Sequence, residues 1–126
     1  MNPLKPRLAE GTVGELLVVL RLLEYDVQAS FTLKDTGNDL IAIKGHSKKT
    51  IQVKTSIKNN WGFPLPHKMY DILALVSLVG EGSCIFLDKS KIYLLSTEEV
   101  GVKTYFSENM INDFLLNENR VNKLFA

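Results

Sequence analysis

The feature that most constrains the fold is a long apolar run from Ile72 to Val79, interrupted only by Ser77. A strand with one solvated face alternates apolar and polar residues, whereas a continuous run is typical of an interior strand covered on both faces. The segment from Pro6 to Tyr25 supplies one cover, because its apolar residues recur at helical spacing and form a wide face. We therefore predict a mixed α/β domain in which an N-terminal helix packs on a central sheet flanked by C-terminal helices.

Further strand-like segments complete this sheet. Leu40–Lys44 and Thr50–Lys54 are two short strands joined by the tight polar loop GHSKK. Asn, Gly and Pro residues predict an irregular, exposed loop over Ser56–Lys68. The remaining predictions are a weakly alternating strand over Val27–Leu33, a hairpin made of Cys84–Leu87 and Lys91–Leu95, and one or two short helices between Ser107 and Leu124.

Composition is that of an ordinary globular protein. The 126 residues suffice for a single domain over the whole chain, and the 23% charged share argues against disorder. The lone Cys84 lies in an apolar stretch, which predicts a core position and a reducing compartment and leaves no disulfide or zinc framework. Neither a secretory signal nor a membrane-spanning stretch is visible, so we expect a cytoplasmic protein.

Charge is distributed unevenly although the net charge is only +1. No Asp or Glu falls between Ile41 and Tyr70, and aromatic residues are interleaved with the lysines there. Such a stretch suits the phosphate backbone of a nucleic acid, but a solvated lysine-rich hairpin that keeps a sheet edge soluble is equally consistent. The candidate nucleic-acid contacts are Lys44, Lys48, Lys49, Lys58, Trp61, His67 and Lys68. Trp61 can either stack on a base or fold back to bury aromatic area.

Three polar residues of the two short strands suggest a hydrolytic site. Asp39 begins one strand, and Gln52 and Lys54 lie two apart on the next, so their side chains share a face. Phosphodiester hydrolysis needs an activated water and stabilisation of developing negative charge, which Mg²⁺ held by carboxylates provides. Asp39 is the natural metal ligand, a backbone carbonyl near Val53 is a second, and Lys54 would stabilise charge. The alternative is that Asp39 is a turn residue and Lys54 a surface lysine, without a shared site.

Glu15 is a candidate fourth member of the site. It follows Gly11 and Gly14, which share one side of the helix and permit close approach to the sheet. The alternative is a capping box in which Thr12 caps a helix that begins at Val13 and Glu15 returns the hydrogen bond. Pro6 favours an earlier helix start, which would place Thr12 in the helix interior.

These motifs together resemble the PD-(D/E)xK nuclease superfamily, which includes restriction endonucleases, Holliday-junction resolvases and homing endonucleases. The resemblance rests on GxxGE in the helix, GND before one strand and QVK in the next, and covers the chain from about Gly11 to Val79. It implies a restriction-endonuclease-like core and assigns the site. Glu15 is then the helix carboxylate, Asp39 the main metal ligand, Gln52 the variable acidic position and a metal ligand, and Lys54 the active-site lysine.

Two positions depart from the superfamily pattern. Asn38 stands where proline is usual, and Gln52 where most members carry an acid. The resemblance implies a deoxyribonuclease that uses Mg²⁺, with Mn²⁺ as a substitute, on branched or duplex DNA, and a homodimer for cutting two strands. Two alternatives stay open: a non-catalytic nucleic-acid-binding or regulatory module on the same fold, and a protein-interaction domain. If Lys54 and Asp39 lie on opposite faces of the sheet, the nuclease hypothesis is wrong.

Overall fold

The protein was analysed as a computed structural model, which describes residues 6–32, 39–63, 70–81 and 84–126. The first helix, α1, spans Pro6–Leu23, so it begins at the predicted residue and ends two residues early. Beyond it Asp26 adopts a φ of 61°, a left-handed conformation of the kind that ends helices, and Val27 N donates to Leu22 O. The face of α1 that packs on the sheet carries the buried Leu17, Val18 and Leu22.

The described residues after α1 form a five-stranded central sheet and two small two-stranded sheets. The strands are β1 (Gln28–Phe31), β2 (Leu40–Lys44), β3 (Ser47–Ser56), β4 (Asn60–Gly62), β5 (Ile72–Ser77), β6 (Gly80–Glu81), β7 (Cys84–Ile85), β8 (Lys91–Ser96) and β9 (Tyr105–Ser107). The central sheet has the order β1-β2-β3-β5-β8, with β3 and β5 parallel and the other neighbours antiparallel. The predicted mixed α/β architecture is confirmed.

The interior strand β5 is buried at all six positions, as its largely apolar sequence predicts. Alternate residues of β5 enter two separate cores. Ile72, Ala74 and Val76 face the helix-side core together with Leu17, Val18 and Leu22 of α1. Leu73 and Leu75 face a second core that includes Tyr93, Phe106 and Trp61. The sheet therefore has a helix face, covered by α1, and an opposite face that the second core covers over β5 and β8.

The segment after β3 is not the exposed irregular loop that its composition predicts. Asn60–Gly62 forms β4, which pairs antiparallel with β9. Trp61 at its centre is only 3% exposed, and its Nε1 donates to Val76 O at 3.1 Å. The indole thus anchors a small β layer on the sheet, because a buried Trp needs a partner for its N–H. The end of the predicted loop, including His67 and Lys68, lies outside the described residues, as does Asn38.

The predicted hairpin of Cys84–Leu87 with Lys91–Leu95 is wrong. β7 pairs with β6 instead, and β8 pairs with β5 in the central sheet. A 3₁₀ turn over Leu87–Lys89 separates β7 from β8. Cys84 lies in the short β6–β7 ribbon and is exposed, so its predicted core position is also wrong.

The C-terminal region adds short helices around β8 and β9. They are α2 (Thr97–Val100), α3 (Glu108–Ile111), a 3₁₀ turn over Asn112–Phe114, and α4 (Glu118–Leu124). Arg120 of α4 donates to Glu99 Oε1 at 2.6 Å and Glu99 Oε2 at 3.0 Å, and to Leu94 O at 2.6 Å. This pair fixes α4 on the helix face beside β8. None of the helices in the described ranges is long and apolar enough to cross a membrane.

Candidate active site

Asp39 is held at the point where β2 begins beside β3. Its backbone N donates to Ile51 O at 2.9 Å. Its side-chain Oδ2 accepts two hydrogen bonds, from Gln52 Nε2 at 3.0 Å and from Val53 N at 2.8 Å. The register that pairs Leu40 with Ile51 brings Asp39 level with Gln52. Two residues that are 13 apart in sequence therefore meet directly.

The orientation of the Gln52 amide follows from this contact. An ionised carboxylate only accepts hydrogen bonds, so the group that faces Asp39 Oδ2 is the NH₂ of Gln52 and not its carbonyl. The Gln52 Oε1 atom is the remaining atom of this side chain that a metal could use. Among the described residues, Asp39 Oδ1 has no hydrogen-bond partner.

Close packing of α1 on β3 brings Glu15 to the site. A Cβ added at Gly14 would lie 1.9 Å from Thr55 Oγ1, so only glycine allows this approach. Gly11 has nothing within 4 Å of an added Cβ, so the predicted close contact at this second glycine is wrong. The capping-box alternative for Thr12 and Glu15 is also wrong, because α1 begins at Pro6.

The pKa of the Glu15 carboxyl group is affected by the neighbouring Asp39. Burial raises the pKa of Glu15, and the negative charge of Asp39 raises it further. Two partly buried carboxyl groups from different elements are therefore close enough to repel each other. Within the described ranges no group of three or more His, Cys, Asp or Glu side chains converges. The candidate metal donors brought together are the Glu15 and Asp39 carboxylates with the Gln52 amide.

Lys54 lies on the same face of β3 as Gln52. Side chains alternate along a strand, and Val53 between them enters the helix-side core. Gln52 contacts Asp39, so the sheet does not separate Lys54 from the Asp39 carboxylate. Lys54 is partly buried, and no other described residue forms a hydrogen bond or ion pair with its ammonium.

The lysines predicted to contact nucleic acid divide between the two faces of the sheet. Lys48 is exposed on the strand face that carries Gln52, and Lys58 is exposed just after β3. Lys44 is instead on the helix face, where its Nζ donates to Tyr25 O at 2.8 Å. Lys49 also points to the helix face and lines a cleft with Lys123 and Leu124. Lys44 and Lys49 therefore do not share one face with Lys48, because alternate residues of a strand face opposite ways, and the nucleic-acid contacts of all three stay predictions.

Trp61 is also not available as a base-stacking residue. Its ring is buried and packs edge-on against Tyr93 with ring centroids 6.1 Å apart. Of the two roles open to it, the burial of aromatic area is the one found. His67 and Lys68 lie outside the described residues, so their predicted contacts stay predictions.

Sequence reasoning missed one contact that shapes the site and, although it predicted the close approach of Gly14 to the sheet, did not identify Thr55 as its partner. The Val53 N–H braces Asp39, and no side-chain pattern signals a backbone donor. The Gly14 contact with Thr55 sets the height of Glu15 above the sheet. A signal for it did exist, since Thr55 directly follows Lys54 and is the next residue of β3 to face the helix.

Comparisons with known proteins agree with this architecture. No protein-family model matches the sequence, and no curated protein matches it. Among solved structures, the chain is similar to a bacterial homing endonuclease, I-Ssp6803I, with a TM-score of 0.61. The sequence identity is 14%, and the similarity covers 82% of this chain and 78% of that chain. At this identity the likeness shows the fold, which is nuclease-like.

Proposed function

We propose that this chain is a Mg²⁺-dependent deoxyribonuclease of the PD-(D/E)xK superfamily, with its site at Glu15, Asp39, Gln52 and Lys54. The observation that carries the proposal is the meeting of three sequence motifs that are far apart in the chain. Asp39 accepts a hydrogen bond from Gln52, and the negative charge of Asp39 raises the pKa of Glu15. Lys54 lies on the same face of β3 as Gln52. Similarity in fold to a homing endonuclease supports the same conclusion.

The donor atoms suit a hard divalent cation. Mg²⁺ prefers oxygen ligands and is usually held by one or two carboxylates with several waters retained. Glu15 and Asp39 provide two carboxylates whose mutual repulsion a cation between them would relieve. In a strand a residue directs its N–H and C=O to the same side, so the Val53 carbonyl, like the N–H that meets Asp39, is on this side of β3. Mn²⁺ accepts the same oxygen ligands and would substitute.

The side chains of the site would divide the work of hydrolysis. When bound, Mg²⁺ would activate a water and neutralise charge on the scissile phosphate. Lys54 would place its ammonium beside the phosphate oxygens, where negative charge grows in the transition state. No described residue forms a hydrogen bond or ion pair with that ammonium, which would leave it to bind substrate. Glu15 and Asp39 would hold the cation, and the neutral Gln52 would add no charge of its own.

The substrate we propose is branched or duplex DNA bound on the opposite face. Lys48 and Lys58, both exposed, would contact phosphates on either side of the site. Cleavage of two strands calls for two sites and hence for a homodimer. A surface for self-association is the outer side of α1, where Leu16, Leu20 and Leu23 are 46%, 57% and 55% exposed. Sedimentation of the wild type against Leu20→Lys tests it, since a dimer through α1 should dissociate in the variant.

The decisive experiment is a cleavage assay on branched, duplex and single-stranded DNA with Mg²⁺, Mn²⁺ or chelator. We expect metal-dependent cleavage that falls by at least about 100-fold in Lys54→Ala, since loss of one charge-stabilising group has that effect. Lys89→Ala removes an exposed lysine in the 3₁₀ turn that follows β7 and should leave cleavage unchanged. Cleavage that survives in Lys54→Ala would contradict the proposed site.

A second candidate function is a DNA-binding module without catalysis. The observation that favours it is the amide of Gln52, which stands where a third carboxylate would strengthen metal binding. This candidate predicts metal-independent DNA binding that requires Lys48, with no cleavage of any substrate. The same assay therefore separates the two candidates.

A further inference from the structure

The two oxygens of the Asp39 carboxylate are not equivalent. Oδ2 accepts from Gln52 Nε2 at 3.0 Å and from Val53 N at 2.8 Å. A carboxylate oxygen has two lone-pair directions, so two N–H donors fill Oδ2. Oδ1 accepts no hydrogen bond from a described residue. A cation that approaches Asp39 therefore meets one free oxygen.

A glutamate at position 52 would change this arrangement in two ways. Its carboxylate has no N–H, so the donor 3.0 Å from Asp39 Oδ2 would be replaced by a second negative oxygen. The new charge would also lie beside the Asp39 carboxylate, and two like charges at this distance repel each other. Gln52 avoids both effects, since its amide donates to Asp39 and carries no charge.

We infer that Gln52 is a positioning residue, which acts through Asp39 so that this carboxylate offers a single oxygen, Oδ1, to one divalent ion. The inference rests on the proposed metal-dependent function but concerns a different property, the number of ions and the role of the amide. An aspartate that uses both oxygens can bridge two ions, as carboxylates in two-metal sites do. Here Oδ2 accepts two hydrogen bonds from the protein, so Asp39 cannot bridge two ions through its two oxygens, and the site we infer holds one ion.

The test compares Mn²⁺ binding by calorimetry and by electron paramagnetic resonance in wild type, Gln52→Glu and Gln52→Ala. The wild type should bind one Mn²⁺ per chain. Both variants should bind it more weakly, by about 10–100-fold, the usual effect of removing a hydrogen-bond partner of a metal ligand. Gln52→Glu should be the weaker of the two, even though a carboxylate is the better metal ligand. The kcat of cleavage should fall with little change in KM for DNA.

The control is Gln28→Glu, which adds the same charge at an exposed position of the edge strand β1 and should leave Mn²⁺ binding unchanged. Thermal unfolding without metal checks that each variant is folded. Tighter Mn²⁺ binding in Gln52→Glu, or two ions per wild-type chain, would overturn the inference, and so would no Mn²⁺ binding at all. One bound Mn²⁺ without any DNA cleavage would instead remove the nuclease function and leave the role of Gln52 intact.

Discussion

The ionised form of Glu15 is the least favourable single feature of the candidate site. Burial raises the pKa of its carboxyl group, and the negative charge of Asp39 raises it further. Close packing of Gly14 on Thr55 fixes α1 on β3 directly beside Glu15 in sequence. Groups held in this way against their own solvation cluster at functional sites, where a ligand completes the arrangement.

Substituting Glu15 should therefore stabilise the protein without metal. Glu15→Gln removes the partly buried charge and its repulsion with Asp39, so the free energy of unfolding at pH 7 should rise in chelator. Added Mg²⁺ should raise the Tm of the wild type and should not raise that of Glu15→Gln, because the variant lacks one of two carboxylate ligands. Glu10→Gln on the same helix is the matched control and should behave as the wild type in both conditions. A Glu15→Gln protein that is less stable in chelator would contradict this account.

At the scale of elements, the contact between α1 and β3 depends on one glycine of the pair. Gly14 faces Thr55, whose Oγ1, Cβ and Cγ2 would lie 1.9, 3.0 and 3.1 Å from an added Cβ. Gly11 lies on the same helix with open space around it. Alanine should therefore have opposite effects on stability at Gly14 and at Gly11, because only Gly14 faces a packed side chain.

We expect Gly14→Ala to destabilise the protein by about 1–3 kcal/mol, the usual effect of forcing a methyl group into a packed contact. Gly11→Ala should stabilise it by about 0.5–1 kcal/mol, because alanine is the better helix former and meets no clash. Thr55→Ala in the Gly14→Ala background should restore part of the loss, since it removes Oγ1 and Cγ2 but leaves Cβ. Urea unfolding at pH 7 measures all three, and equal effects of the two glycine substitutions would refute the contact.

The Arg120–Glu99 pair joins α4 to α2 and is sensitive to acid. Burial alone would raise the pKa of Glu99, but the hydrogen bonds and charge of Arg120, together with Ser96, lower it to about 2. A carboxyl group with a lowered pKa in the folded state stabilises the protein above its unfolded value near 4.5, and this contribution is lost as pH falls towards 2.

Glu99→Gln should therefore lower the free energy of unfolding at pH 7 by about 2–3 kcal/mol. This lies below the range for a fully buried pair because the Glu99 side chain keeps 17% exposure. The difference from wild type should shrink between pH 4.5 and pH 2 as Glu99 of the wild type becomes protonated. Urea unfolding at pH 7, 4 and 2.5 tests this, with the exposed neighbour variant Glu98→Gln as control. A difference that stays constant down to pH 2.5 would show that the charge on Glu99 is not responsible.

Elements with a strong local pattern could be predicted from the sequence. The helix from Pro6 and the strand over Leu40–Lys44 begin where predicted, and β5 is buried at every position, because each has a clear local apolar pattern. Elements that depend on distant partners could not be predicted. β4 forms because Trp61 finds the Val76 carbonyl and β9 offers a strand edge, and neither partner is near it in sequence. β8 likewise pairs with the more distant β5, where the local pattern favoured a hairpin with β7.

The candidate site was predictable to a similar degree. Asp39, Gln52 and Lys54 could be grouped because strand alternation and a tight hairpin fix their relative places. The division of the lysines between the two faces of the sheet follows from the same strand alternation. The distribution of charge along the chain does not express this division. The direction of the Gln52 amide depends on a hydrogen bond to Asp39 that composition does not express.

The whole molecule presents two faces with different properties. The helix face is covered by α1 and α4 through the larger core, whereas the opposite face is covered over β5 and β8 and carries Lys48, Gln52 and Lys54 along β3. DNA that contacts Lys48 and Lys54, as we propose, would lie along the opposite face, while Glu15 approaches Asp39 from α1 on the helix face. Two neighbouring lysines of the β2–β3 hairpin then test which face binds, since Lys48 and Lys49 point opposite ways.

Lys48→Ala should weaken DNA binding uniformly across sequences and reduce the slope of log affinity against log salt by about 0.9, the effect of losing one phosphate contact. Lys49→Ala removes the same charge from the same hairpin but on the helix face, beside Lys123, and should change affinity and slope little. Both are measured by fluorescence anisotropy in chelator across a salt series, so that cleavage does not interfere. Equal losses in the two variants would mean that the hairpin acts only through its net charge, and a loss confined to Lys49→Ala would move the DNA to the helix face. A loss confined to Lys48→Ala would connect the binding surface with the carboxylates of the candidate site, because Lys48, Gln52 and Lys54 lie on one side of one strand.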